Sequence, residues 1–187
     1  MFIQTEATPN PNTLKFLPGR EISPDRPREF DSAAAAEDSP MAADLFIIEG
    51  VETVFFGEDF IAVTKTEALD WDHLKPFLLG AIMDGLQSGR PLFGEAETAS
   101  GHAAYEGEAD GVVKEIIELI DTRVRPAVAQ DGGDILFHSF VAETGIVRLK
   151  MRGACAGCPS STMTLKSGIE NLLKHYVPEV KAVEEAV

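Results

Sequence analysis

The chain has 187 residues, of which 44% are hydrophobic and 25% are charged, as in an ordinary soluble globular protein. Its formal net charge is −15 at pH 7, and a protein this acidic is repelled by phosphate backbones, so we expect no nucleic-acid partner. The sequence has no apolar run of the roughly 18–20 residues that would cross a bilayer, so we expect no membrane span either.

The acidic residues are concentrated in the first part of the chain. Residues 1–108 contain 7 Lys or Arg against 20 Asp or Glu, whereas residues 109–187 contain 9 against 11. The N-terminus has neither the basic start and apolar stretch of a signal peptide nor the Arg-rich, acid-poor character of a transit peptide. We therefore expect a cytoplasmic protein, or a matrix-like one if a presequence has been removed.

The first half of the chain predicts an α+β domain. A strand is expected over residues 13–17, and two further strands over residues 51–56 and 60–64 should form a hairpin around a turn. A helix should begin near Asp70, a suitable N-cap, because apolar residues recur at helical spacing after it. That stripe comprises Trp71, Leu74, Leu78, Ala81 or Ile82, and Gly85 or Leu86. Residues 20–38 predict a loop with some helix.

A stretch of small and acidic residues without periodicity separates the two halves. It covers residues 89–107 and is typical of a flexible linker. We therefore predict two small domains with α and β layers, at residues 1–88 and 108–187, joined by this linker.

The second half also predicts an α+β domain, with a small mixed sheet and helices on one face. It opens with an amphipathic helix, near whose end Pro126 should produce a bend. The inner face of this helix comprises Val112, Ile116, Leu119 or Ile120, and Val124. A turn at residues 131–134 leads into a strand through Val141, and residues 143–145 reverse the chain into a second strand. There Val147, Leu149 and Met151 alternate with Arg148, Lys150 and Arg152, which predicts a sheet with one solvated side.

The two cysteines of the chain, Cys155 and Cys158, follow this strand directly. Two cysteines this close together cannot form the disulfide framework of a secreted domain, and in a reducing compartment they indicate metal or redox chemistry. Pro159 suits the first turn of a following helix, whose positive end should favour thiolate over thiol. Gly153 and Gly157 allow the loop to curl so that both sulfurs face one point.

Ligand number limits what this site can hold. Cubane clusters and structural zinc sites take about four protein ligands, whereas one chain offers two thiols. The four histidines lie far away in sequence, and each is more readily explained as a surface or core residue than as a ligand; they are His73, His102, His138 and His175. A second copy of the chain, related by a two-fold axis, would complete four thiolates around one cluster.

Three interpretations of the cysteine pair stay open on the residues alone. Thiolates are the ligands of soft iron–sulfur clusters and of zinc. A thioredoxin-like dithiol is the third possibility, because the pair stands between a strand and a helix. Against it, the preceding strands predict a hairpin rather than a βαβ unit, and no aromatic residue precedes the pair.

Two groups of segments resemble a known family. Residues 131–134, 153–161, 164–170 and 177–180 resemble the C-terminal domain of NifU, and residues 8–19, 50–57 and 70–76 resemble the N-terminal domain of Nfu proteins. Together they cover nearly the whole chain in the Nfu order.

The resemblance implies a non-enzymatic carrier that takes a [4Fe-4S] cluster from the assembly machinery and delivers it to client apoproteins. The family's cluster ligands correspond to Cys155 and Cys158, and the cluster would join a homodimer. Spacing alone does not distinguish [4Fe-4S] from [2Fe-2S]. The acidic first domain would contact partner proteins, and residues 131–134 would be structural.

Overall fold

The computed structural model describes residues 2–94, 101–105, 107–157 and 159–186, with the backbone alone for residues 159–161. The chain divides into two compact units, residues 1–100 and residues 101–187. We call them unit 1 and unit 2 and describe each by itself.

Unit 1 is built on a five-stranded antiparallel sheet. Its strands are β1 (Gln4–Ala7), β2 (Thr13–Leu17), β3 (Arg28–Phe30), β4 (Val51–Phe56) and β5 (Ile61–Lys65). They are ordered β1-β2-β5-β4-β3, so the hairpin of β4 and β5 lies inside the sheet and β1 and β3 form its edges.

The helices of unit 1 bury their apolar stripes in one core with the sheet. A 3₁₀ turn (Ala35–Asp38) precedes α1 (Pro40–Phe46), and α2 (Trp71–Gln87) follows β5. Ser39 caps α1, since its hydroxyl accepts a hydrogen bond from the Ala42 N–H at 3.2 Å. The core side of α2 presents Leu74, Leu78, Ile82 and Leu86, which pack with apolar residues of β2, β4 and β5.

Unit 2 packs helices against a three-stranded mixed sheet. Its elements are α3 (Asp110–Leu119), a π-helical segment (Ile120–Val124), α4 (Arg125–Gln130), β6 (Gly133–Val141), β7 (Ile146–Gly153), α5 (Pro159–Tyr176) and β8 (Ala182–Glu185). The strand β6 pairs antiparallel with β7, and β7 pairs parallel with β8. Val113, Ile116 and Ile120 from the first helical stretch meet Leu149 of the sheet and Leu173 of α5 in the core.

The structure confirms most of the predicted elements and the α+β class with its mixed second sheet. The strand over 13–17, the hairpin, α2 with its stripe, β6, β7 and α5 all form where the sequence predicts them. The edge strands β1, β3 and β8 were not predicted, and β3 contradicts a loop at residues 28–30. As predicted, Pro126 lies near the end of the first helical stretch of unit 2, which continues for one more turn to Gln130. The wide π turn just before Pro126 accommodates a residue that lacks an N–H and would clash in a regular helix.

The described ends of the predicted linker pack on their own units. The Ser39 hydroxyl donates to the Leu92 carbonyl at 2.8 Å, and the Phe93 ring meets the Phe56 ring edge-on at 5.2 Å. The Ala103 N–H donates to the Phe137 carbonyl at 2.9 Å. Residues 95–100 lie outside the described part, and the domain boundaries at 88 and 108 stay a prediction.

One side chain of the predicted solvated face is not solvated. Arg148 and Lys150 are exposed, but Arg152 is 7% exposed. It ends its strand opposite the buried Asp134, next to the cysteine loop, where the alternation of β7 gives way to a turn. Among the helices in the part of the chain that the structure describes, none is long and apolar enough to cross a membrane.

Candidate functional site

The cysteine loop is held against the turn that enters β6. Gly132 has φ of 82°, a left-handed conformation that glycine adopts without a side-chain clash. Its carbonyl accepts a hydrogen bond from the Ala154 N–H at 3.1 Å, and Gly133 is paired with Gly153 across the β6–β7 ladder. The start of β6 and the loop after β7 are therefore tied together at two adjacent points.

Cys155 lies inside unit 2 rather than on its surface. Its N–H donates to the Arg152 carbonyl at 3.3 Å, which folds the chain back immediately after β7. The residue is 5% exposed and belongs to the apolar core of unit 2. A Cβ atom on Gly133 would stand 2.5 Å from the Cys155 Sγ and 2.8 Å from the Arg152 carbonyl oxygen. The missing side chain of Gly133 thus makes the space that the thiol occupies.

The rest of the loop runs into α5. The Ala156 N–H donates to the Gly153 carbonyl at 3.1 Å, and Gly157 is exposed with φ of 74°. The Thr162 hydroxyl donates to the Cys155 carbonyl at 3.2 Å, which joins the first turns of α5 to the cysteine. Pro159 is the first residue of α5, as predicted. Cys158 lies outside the described residues.

The surroundings of Cys155 favour the protonated thiol. The pKa of Cys155 is raised to about 12, chiefly by burial and also by the nearby carboxylates of Asp131 and Asp134, which repel a thiolate. The expectation of a helix-stabilised thiolate is therefore wrong for Cys155.

A buried ion pair fixes the strand that supports the cysteine. The Asp134 carboxylate, with its side chain 4% exposed, receives two hydrogen bonds from Arg125, at 2.7 Å from Nε and 3.2 Å from Nη2. Arg125 also bonds Asp121 at 2.9 Å. Burial lowers the pKa of Arg125, but its hydrogen bonds to Asp134 and Asp121 raise it overall. This network connects α4 to β6 and is structural, as the sequence predicts for residues 131–134.

The histidines sit apart from the cysteine loop. His102 Nε2 is 2.8 Å from an Asp121 carboxylate oxygen, and its Nδ1 accepts the Phe137 N–H at 2.8 Å. His73, His138 and His175 are exposed. Over the described residues, which leave out Cys158, no three His, Cys, Asp or Glu side chains gather in a way that would hold a metal ion.

Three supporting residues have contacts at the site that the sequence did not predict. Gly133 makes room for the thiol, Arg125 neutralises Asp134, and Thr162 bonds the cysteine carbonyl. For Gly133 a signal was present: two consecutive glycines at the entry to a strand mark a close backbone approach. For Arg125 and Thr162 the sequence carries no signal, because their contacts depend on how the turn between α4 and β6 and the cysteine loop fold.

Comparison with known proteins identifies both units. Residues 3–89 match the family model of the scaffold protein Nfu/NifU N-terminal domain, and residues 116–184 match the NifU-like domain. The chain is 55% identical to the human "NFU1 iron-sulfur cluster scaffold homolog, mitochondrial", over 100% of this chain and 72% of that protein. It is 50% identical to the Arabidopsis thaliana "NifU-like protein 4, mitochondrial", over 99% of this chain and 66% of that protein.

A solved structure is also similar. The solution NMR structure of a NifU-like protein from Saccharomyces cerevisiae matches with a TM-score of 0.47 at 24% identity, covering 51% of this chain and 87% of that chain. The mitochondrial names of the human and Arabidopsis relatives contradict the predicted cytoplasmic location. That prediction rested on an N-terminus without the character of a transit peptide, and this feature does not reveal where a chain resides.

Proposed function

Because the chain belongs to the Nfu/NifU family of scaffold proteins, we propose that it is a carrier of iron–sulfur clusters rather than an enzyme. The human relative is named as an iron–sulfur cluster scaffold homolog, and the whole of this chain aligns with 72% of that protein. In this proposal the cluster is cargo: it is received from assembly proteins, held, and delivered to client apoproteins.

The observation that carries the proposal is the position of Cys155. Its thiol stands where the Gly132–Gly133 turn, the end of β7 and the start of α5 meet, three residues before Cys158. Thiolates are the protein ligands of iron–sulfur clusters. We propose Cys155 and Cys158 as the ligands, each giving up its proton when iron binds.

The proposed cargo is a [4Fe-4S] cluster shared between two chains. A cubane takes about four protein ligands, and the sequence of one chain holds two cysteines. A symmetric dimer would supply two thiolates from each copy. A [2Fe-2S] cluster shared in the same way would also satisfy four ligand positions, so cluster type has to be measured.

In this proposal the two units have different roles. Unit 2 holds the cluster, since both cysteines lie in its sequence, and unit 1 meets other proteins. The proposed division is residues 1–88, a linker at 89–107, and residues 108–187.

The environment of Cys155 argues against the alternative of a thioredoxin-like dithiol. A redox-active cysteine is exposed and has a low thiol pKa. Cys155 is 5% exposed, and its pKa is raised to about 12, chiefly by burial. Such a thiol is a poor nucleophile until a metal displaces its proton.

Anaerobic reconstitution tests the proposal. The purified chain is loaded with iron and sulfide, desalted without added thiol, and analysed for iron, acid-labile sulfide and the visible spectrum. We expect a broad cluster absorption in the wild type and its loss in Cys155→Ala and in Cys158→Ala. Alanine is chosen because it keeps a small apolar side chain in the buried site of Cys155. A wild type that binds no iron and sulfide, or that binds zinc in their place, would refute the proposal.

A further inference from the structure

Unit 1 exposes three large apolar side chains among its described residues, and two of them lie at a pair of packed helices. Ile47, which directly follows α1, is 80% exposed, and Phe77 of α2 is 67% exposed. Single exposed apolar residues are common on protein surfaces, whereas apolar residues that lie together mark interaction sites. The distance between Ile47 and Phe77 therefore decides whether they form an interaction site.

The packing of α1 on α2 indicates that Ile47 and Phe77 lie at the same level along α2. A Cβ on Gly85 would lie 2.7 Å from Met41 Cε, whereas a Cβ on Gly50 would lie 3.8 Å from Leu74 Cδ1. The chain from residue 41 to residue 50 thus runs antiparallel to α2. Ile47, three residues before Gly50, comes opposite the turn after Leu74, where Phe77 lies.

The half-buried Ala81 follows Phe77 by one helical turn. It extends the apolar area along α2 toward the end where Met41 packs. We call Ile47, Phe77 and Ala81 the Ile47–Phe77 surface.

The surroundings of this surface are acidic. Residues 40–90 contain three Lys or Arg against nine Asp or Glu, which are Asp44, Glu49, Glu52, Glu58, Asp59, Glu67, Asp70, Asp72 and Asp84. Lys65 is 6% exposed and bonds the Asn12 side chain, and Arg90 pairs with Asp44 at 2.6 Å. The third cation, Lys75, is half-buried and borders the N-terminal strand. Asp70 and Asp84 lie seven residues before and after Phe77, on its side of α2.

We propose that the Ile47–Phe77 surface docks a partner protein through a segment with large apolar side chains flanked by Lys or Arg. The apolar pair supplies contact area that is already exposed in the free protein, and the acidic surroundings attract a basic partner over several ångströms. A second copy of unit 1 is a poor occupant, because it would bring two acidic rims together.

A peptide titration of the full apo chain tests this docking site. The probe is a fluorescein-labelled amphipathic peptide of about four helical turns, with Leu on one face and Lys on the other, followed by polarisation. One twin peptide carries Glu in place of Lys, and another carries Ser in place of Leu. The protein variants are the double substitution Ile47→Ser with Phe77→Ser, and Met163→Ser as control. Met163 is a large apolar side chain that is 69% exposed, but it lies in unit 2.

We expect the Lys peptide to bind the wild type and the Met163→Ser variant alike, and to bind the double variant about tenfold more weakly. The Glu and Ser twins should bind weakly to all three proteins. Three results would overturn the proposal: no binding of the Lys peptide, equal binding to the double variant, or concentration-dependent self-association of the wild type that the double variant loses. Since no cluster is present, failure here leaves the cluster proposal untouched.

Discussion

The two units differ in which side chains they expose and which they bury. Unit 1 leaves Ile47 and Phe77 exposed on an acidic exterior, with 7 Lys or Arg against 18 Asp or Glu in residues 1–100, and the charged side chains that it buries among its described residues are two lysines, Lys15 and Lys65. Unit 2 instead buries a thiol and a carboxylate, Cys155 and Asp134.

This difference separates recognition from cargo binding. A docking surface has to be available in the free protein, so its apolar groups stay exposed. A ligand thiol is exposed to oxidation when it is accessible and ionised. Burial beside two carboxylates keeps Cys155 protonated until iron arrives. The following predictions compare the buried ion pair, the buried thiol and the closely approached glycine of unit 2 with exposed counterparts in unit 1.

The largest effect should come from removing the guanidinium that neutralises Asp134. The Arg125→Met change would leave a carboxylate with 4% side-chain exposure without its two donors, and we expect a loss of about 3 kcal/mol in the stability of unit 2. The matched change in unit 1 is Arg90→Met, since the Arg90–Asp44 pair is 51% and 36% exposed. It should cost less than about 1 kcal/mol.

Urea unfolding followed by two probes measures these changes. Trp71, the single tryptophan, reports on unit 1 by fluorescence, whereas circular dichroism reports on both units. Equal losses in Arg125→Met and Arg90→Met would contradict the view that only unit 2 depends on a buried ion pair.

The next effect concerns thiol reactivity. In a Cys158→Ser chain, Cys155 should react with iodoacetamide at pH 8 about a hundredfold more slowly than an ordinary exposed thiol, because it is buried and its pKa is about 12. The control is a cysteine introduced at the exposed Gln87 of unit 1, in a chain with both native cysteines replaced. Mass spectrometry follows both rates. Similar rates would show that Cys155 is open and ionised in the free chain.

A glycine-to-alanine substitution in each unit should change the free energy of unfolding in opposite directions. In Gly133→Ala the new Cβ would meet Cys155 Sγ at 2.5 Å, so we expect unit 2 to lose about 1–3 kcal/mol and cluster binding to weaken. In Gly80→Ala the new Cβ meets nothing within 4 Å inside α2, so unit 1 should gain about 0.5–1 kcal/mol. Urea midpoints and iron content check both. A Gly133→Ala chain with normal stability and full cluster would show that the thiol is not confined there.

The smallest effect should be a loss of stability of unit 2 at acid pH. Burial raises the pKa of Asp121, but hydrogen bonds from Arg125 and His102 outweigh it and hold the pKa below the ordinary 3.8. Its carboxylate therefore stabilises the fold above pH 3.8, and this contribution disappears as the pH falls through the lower folded value. We expect it to be under about 1 kcal/mol, since the side chain is 43% exposed. Asp121→Asn should flatten the dependence of the urea midpoint on pH, and an unchanged slope would refute this assignment.

The elements that the sequence predicts well are those with one continuous apolar face. The α2 stripe and the alternation of Val147, Leu149 and Met151 each follow a single period, so position and buried face are both readable. The edge strands β1 and β8 have mostly exposed or half-buried residues, so they carry no such period. Their place is set by pairing with β2 and β7, and a single sequence does not show this.

The sequence predicts the candidate cluster ligands, but not the burial and the charges around Cys155. Two cysteines at this spacing and the matching segments identify the candidate ligands. The burial of Cys155 depends on the approach of Gly133 from a strand some twenty residues earlier in the chain, and on charges from Asp131 and Asp134. The sequence predicts a thiolate from the dipole of the following helix alone. Without the burial and the two carboxylates, the predicted protonation state of the Cys155 thiol is wrong.

Native mass spectrometry of the anaerobically reconstituted wild type tests the central claim most directly, because it gives the number of chains and the cluster mass of each species together. The account predicts a dimer that carries about one [4Fe-4S] cluster per two chains, and mostly monomer after iron is chelated. Sample buffers must contain no glutathione or dithiothreitol, since a small thiol can complete the ligation of a single chain. A monomer that carries a complete cluster under these conditions would contradict the account.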